Sequence, residues 1–123
     1  MKILIIDDNK DFADALLRLL GAIGYPDVRA AYSGPDGIRE AITMNPEYLL
    51  IDLQMPGMDG FSVIRMLRKS INPSSKYIAI TGYGQDSDRR ATQEAKFDFH
   101  LTKPFSIADL KQILGDQRKP SIG

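Results

Sequence analysis

A chain of 123 residues with 43 % apolar and 26 % charged side chains is sized for one domain around one core, with no room for a second. Its 16 basic and 16 acidic residues cancel, which argues against nucleic acid as a partner, because phosphate binding needs a basic patch, and turns attention to proteins and small ions. The absence of cysteine excludes a disulfide framework and thiolate metal sites, and no apolar run approaches the roughly 18 residues of a membrane span; a cytoplasmic protein without a membrane partner is expected.

The first apolar run, Ile3 to Ile6, drives straight into Asp7 and Asp8, which also separates it from a signal peptide with a small-residue cleavage site. Phe12, Leu16, Leu19, Leu20 and Ile23 then share one face of a helix that Gly24 and Pro26 close. After a second strand, Val28 to Ala31, Ser33 is the expected N-cap of a helix with Asp36 three residues on. Ile38, Ala41 and Ile42 are expected to face inward there, until Asn45 and Pro46 stop it. The third strand, Tyr48 to Ile51, ends on a carboxylate, Asp52. In the stretch MPGMDG that follows, Pro56 and Gly57 shape a loop, and Asp59 reads as a helix N-cap rather than a metal ligand. The helix it opens buries Phe61, Ile64 and Leu67 and fades at Asn72 and Pro73. A fourth strand, Tyr77 to Ile80, ends at Thr81; the helix expected from about Asp86 to Ala95 has only Ala91 and Ala95 as inward anchors, so its packing is thin. The fifth strand, Phe97 to Leu101, leads to Lys103, and a last helix capped by Ser106 buries Ile107, Leu110, Ile113 and Leu114. The segment 116–123 lacks periodicity and reads as a tail or linker to a domain of residues 1–115.

Strand and helix alternate five times, and near-continuous apolar strands between helices imply a parallel sheet covered on both faces. The expected fold is α/β, a flavodoxin-like (βα)5 sandwich with strand order 2-1-3-4-5. Ligands of such sheets bind beyond the carboxyl ends of the strands, where Asp7, Asp8, Asp52, Thr81 and Lys103 all arrive. Two carboxylates about 4 Å apart repel by roughly 4 kcal/mol at an effective dielectric near 20, or about three pKa units. Lys103 sets one positive charge against three negative ones, so a divalent cation is the natural remainder. Oxygen ligands alone call for a hard ion, and Mg2+ fits, with Mn2+ as an alternative.

At these residues the sequence resembles the receiver domain of bacterial two-component response regulators, over roughly residues 1 to 115. The resemblance rests on the acidic pair Asp7 and Asp8, the stretch IDLQMPGMDG around Asp52, Thr81 at the end of strand four, and Lys103 with Pro104. The run FDFHLTKPF is most similar to receivers attached to hybrid sensor histidine kinases. The resemblance implies a phosphoacceptor signalling domain rather than an enzyme proper. Asp52 would take a phosphoryl group from a phosphohistidine on a sensor histidine kinase or histidine phosphotransfer protein. Asp7, Asp8, Asp52 and the backbone carbonyl of Gln54 would share Mg2+, while Thr81 and Lys103 would contact the phosphoryl oxygens. It also implies a cis Lys103-Pro104 bond, which sequence alone leaves open because few X-Pro bonds are cis.

His100 stands where the family usually carries a tyrosine or phenylalanine that changes rotamer with activation, so Thr81 and His100 form the expected switch, read out on the face of helix four, strand five and helix five. Gln54 and Tyr83 occupy the positions that tune hydrolysis of the acyl phosphate in this family; neither is an acid. Lys96 replaces a glycine often found before FD, so a positive φ there would carry strain. No output domain is visible, and the signal is expected to pass to a downstream protein or a parent-chain domain. Three rivals are weaker. A Mg2+-dependent phosphohydrolase would want a second acid where Gln54 stands, and a nucleotide or flavin binder would not open its first loop with IDDNKD. A docking-only receiver would not need the full set of acids, Thr81 and Lys103.

Overall fold

The structure, a computed structural model, describes residues 1–82 and 89–115. The elements in chain order are β1 (Lys2–Ile6), α1 (Lys10–Ala22), β2 (Asp27–Ala31), α2 (Gly34–Met44), β3 (Tyr48–Asp52), α3 (Gly60–Leu67), β4 (Lys76–Thr81), α4 (Arg89–Glu94), β5 (Phe99–Thr102) and α5 (Ile107–Leu114). The strands form one parallel sheet in the order β2-β1-β3-β4-β5, as the alternation predicts. The segment expected as a tail, 116–123, lies outside the described residues, as does Tyr83.

Strands that are apolar at every position need a partner on both sides, and each face has one. Ile3, Ile5, Leu50, Ile78 and Ile80 pack with Leu16 and Leu20 of α1 and Leu110 and Leu114 of α5. The alternate residues Leu4, Ile6, Leu49, Ile51 and Tyr77 pack with Ala41 and Met44 of α2 and with Val63, Ile64 and Leu67 of α3. Full burial of each such side chain stabilises by about 1.5–3 kcal/mol, so a one-residue slip of any inner strand would exchange two packed faces at once.

Helix ends follow the sequence closely. Ser33, Asp59 and Ser106 cap α2, α3 and α5 by accepting the backbone N–H of Asp36, Ser62 and Asp109. Asn45 (φ 50°) ends α2 in the left-handed region, and Lys96 takes φ 67°, the positive value expected to carry strain there. Four expected inward residues are corrected. Ile42 is 54 % exposed and Ile107 45 % exposed, and the buried side chain of α4 is Thr92 while Ala91 and Ala95 are only half-buried.

Candidate functional site

The register decides what meets at the carboxyl edge of the sheet. Ile6 pairs with Ile51, Asp52 with Ile80, and Thr81 with Thr102, so Asp7, Asp52, Thr81 and Lys103 leave neighbouring strands at nearly the same height. Asp7 and Asp52 are fastened alike: the Oδ1 of Asp7 accepts the N–H of Asn9 at 2.9 Å, and the Oδ1 of Asp52 accepts the N–H of Gln54 at 3.0 Å. Each carboxylate thereby holds the turn that follows it. Asn9 goes on to cap α1, accepting the N–H of Phe12 at 3.1 Å. Beyond β3, the N–H of Leu53 donates to the Ile80 carbonyl at 3.0 Å and that of Gly60 to the Leu53 carbonyl at 3.1 Å. A Cβ on Gly60 would lie 2.7 Å from the Asp52 carbonyl oxygen, so α3 starts closer to the acid than any other residue would permit. Gly57 turns the loop between them at φ 83°.

Asp7 is fully buried, Asp52 is 7 % exposed and Asp8 faces solvent. Carboxylate oxygens of the three lie within 4.8 Å of one another. Burial pushes Asp52 up to about 7; the Gln54 N–H opposes this, the negative charge of Asp7 adds to it, the Lys103 ammonium opposes it, and a hydrogen bond with Asp7 adds again. Three crowded carboxylates, two of them buried, leave negative charge uncompensated and offer only hard oxygen donors, so the group fits a divalent hard cation such as Mg2+.

The Nζ of Lys103 donates to the Oδ2 of Asp7 at 3.0 Å and lies 3.9 Å from the centre of the Phe12 ring. The Lys103-Pro104 bond is cis, and the Lys103 N–H donates to the Thr81 carbonyl at 2.7 Å. Thr81 is 3 % exposed; its hydroxyl is 3.0 Å from the Nε2 of His100 and 3.5 Å from the Thr102 hydroxyl. The structure thus brings Asp7, Asp8, Asp52, Thr81, His100 and Lys103 to one edge, with Gln54 beside Asp52 through its N–H. Asn9, Gly60 and Phe12 were not among the expected site residues. Asn9, standing just before the helical period, carries a readable N-cap signal, whereas the contact of Phe12 with Lys103 has no sequence signature.

Such a doubly wound sheet, with buried acids and a lysine at its carboxyl edge, defines a flavodoxin-like domain. The model of the response regulator receiver domain matches residues 3–115, and the chain belongs to that family, a signalling family of two-component systems rather than a class of enzymes. Among solved structures it is similar to the signal receiver domain of a DNA-binding response regulator from Colwellia psychrerythraea, at 30 % identity and TM-score 0.82, covering 93 % of this chain and 94 % of that one. The Francisella response regulator 1452 receiver domain is 30 % identical with TM-score 0.79, covering 96 % and 98 %. The chemotaxis protein CheY4 of Vibrio cholerae shares the fold at 23 % identity and TM-score 0.83, covering 92 % and 94 %. Among the described residues no helix is long and apolar enough to cross a membrane.

Proposed function

We propose that Asp52 is the phosphoacceptor of this receiver domain and that Thr81 and His100 carry the phosphorylated state to the face of α4, β5 and α5. The observation that supports this most is the setting of Asp52, a buried carboxylate within 4.8 Å of two others, in a cluster whose Asp7 holds the Lys103 ammonium at 3.0 Å. The phosphodonor is a phosphohistidine of a sensor histidine kinase or histidine phosphotransfer protein. The recipient of the signal is a downstream protein or a domain of a parent chain, in the cytoplasm. Residues 1–115 are the working domain, with 116–123 a tail.

The Oδ2 of ionised Asp52 attacks phosphorus as the P–N bond breaks; the imidazole leaves with the bonding pair, and an acyl phosphate remains. Asp7, Asp8, Asp52 and the main-chain carbonyl of Gln54 would hold Mg2+, or Mn2+; when bound, the ion neutralises charge on the transferring group. Asp7 keeps the Lys103 ammonium at the cleft, where it meets a phosphoryl oxygen without reorganising. Gln54 and Tyr83 tune the later attack of water; as neither is an acid, they orient or exclude it rather than activate it.

The Thr81 hydroxyl has one proton to donate and lone pairs to accept with. In the resting chain it is already hydrogen-bonded to His100, and the coupling works through this bond. To donate to a phosphoryl oxygen, Thr81 must accept from Nε2–H of His100, which commits the ring to one tautomer and orientation. α4, with Thr92 as its buried side chain, is the element most easily displaced, and Phe99 and Ile107 stand exposed on β5 and α5 for a partner to cover.

Incubation with acetyl phosphate and Mg2+ tests the assignment. One acid-labile, hydroxylamine-sensitive phosphoryl group per chain is expected, absent when the metal is chelated and absent in Asp52→Asn. Labelling of Asp52→Asn at the wild-type rate would refute it.

A further inference from the structure

Lys103 has a second partner that no acid-site chemistry requires. Its Nζ sits 3.9 Å from the centre of the Phe12 ring, while donating to Asp7 at 3.0 Å. Phe12 is the third residue of α1, half-buried, and its own N–H is fixed by the Asn9 cap that hangs from Asp7. Its ring also packs edge-on against Phe105, with centroids 5.8 Å apart at 89°, so the same loop that carries Lys103 holds the ring in place. A T-shaped pair of this kind sets ring orientation as well as burying area.

A lysine side chain is a point charge on a flexible four-carbon stem, and this one is 23 % exposed. Its ammonium carries three N–H bonds and no acceptor. One is used by the Oδ2 of Asp7. The negative face of an aromatic ring attracts a second without a formal charge of its own, so it adds nothing to the crowding of acids at the cleft. The remaining N–H is left for an oxygen of an arriving phosphoryl group. A carboxylate in place of the ring would bind the ammonium more tightly and compete with that oxygen; an aliphatic side chain would leave it loose.

We propose that Phe12 is the positioning residue for Lys103: its ring face holds the ammonium at the mouth of the cleft, ready for the phosphoryl group that Asp52 accepts. The role in the reaction rests on the Asp52 reading, whereas the contact itself exists in the resting chain. The ring acts through its electron density and not through its bulk, which separates this role from ordinary packing of α1.

The test replaces Phe12, in the full chain, by 4-fluoro-, 3,5-difluoro- and 3,4,5-trifluorophenylalanine, which keep the ring and progressively drain its negative face. Two quantities are read: the shifts of the Lys103 ε-methylene protons without metal or phosphodonor, and the rate constant for labelling by acetyl phosphate with Mg2+. The ε-protons are expected upfield of ordinary lysine in the wild type and at ordinary values in Phe12→Leu. The logarithm of the rate is expected to fall stepwise with fluorination, to a total of about three- to tenfold, the range such contacts support. Phe12→Trp should recover the rate lost in Phe12→Leu. A rate that is flat across the fluorinated series, or wild-type ε-protons without an upfield shift, overturns the role of Phe12 while leaving Asp52 labelled. A wild-type chain that takes up no phosphoryl group overturns the Asp52 reading and the positioning role with it.

Discussion

The burial of Asp52 bears on the stability of the fold. Burial, the largest influence on it, raises its pKa from 3.8 to about 7. Between those values the folded chain holds a proton that the unfolded chain has lost, so stability is greatest below the unfolded value and falls as pH rises through the folded one. In chelator, the unfolding free energy of the wild type should therefore drop more than that of Asp52→Asn between about pH 4 and about pH 7.5, by ~2–4 kcal/mol. Urea titrations at several pH values measure this, and parallel profiles for the two chains would contradict it. The same reasoning at Thr81 gives a second outcome. If its single hydroxyl proton goes to the phosphoryl group, beryllofluoride should leave His100 protonated at Nε2, visible in the ring 15N shifts. Thr81→Ala should still be labelled at Asp52 yet lose most of the shift change at His100 and residues 89–96. An undiminished response in that variant would break the proposed link.

At the scale of elements, the site depends on how closely α3 approaches the end of β3. Gly60→Ala would set a methyl group 2.7 Å from the Asp52 carbonyl oxygen and 2.9 Å from the Leu53 Cα, both backbone atoms with little freedom to yield. The expected cost is about 1–3 kcal/mol, with slower labelling because the carboxylate moves with its strand. Thermal unfolding and the acetyl phosphate rate check both, and a variant equal to wild type in each would show that the approach is slack. The helices also explain which inward residues were legible. On α2 the buried positions are Gly34, Gly37, Ala41 and Met44, and a Cβ on Gly37 would lie 2.6 Å from Ile6. Glycines rather than large apolar residues set this face, and Ile42, expected inward, is exposed. On α5, Leu110 and Leu114 choose the face, and Ile107 in the first turn falls off it. The caps Ser33, Asp59 and Ser106 were legible because capping is local chemistry between residues three apart.

For the whole molecule, strand order and site location were readable for one shared reason. A strand apolar at every position must be covered twice, and a parallel sheet covered twice gathers all its carboxyl ends at one edge. Asp7, Asp52, Thr81 and Lys103 stand just where their strands stop being apolar, so the end of each run names them. The cis bond before Pro104 and the pairing of Thr81 with His100 came only through the resemblance, and the ring of Phe12 beneath Lys103 was not readable at all. The contacts of Phe12 with Lys103 and of Thr81 with His100 depend on how segments distant in sequence approach to within a few ångströms. If Asp52 is the phosphoacceptor, one oxygen of its carboxylate alone receives the phosphoryl group. Reduction with borodeuteride tests it most directly, since it converts an acyl phosphate to a deuterated alcohol at the side chain that bore it. After labelling with acetyl phosphate and Mg2+, mass mapping should place homoserine at position 52 and nowhere else. Homoserine at position 7 or 8 in place of 52, or no reduced residue in a chain that had taken up phosphate, would contradict the account.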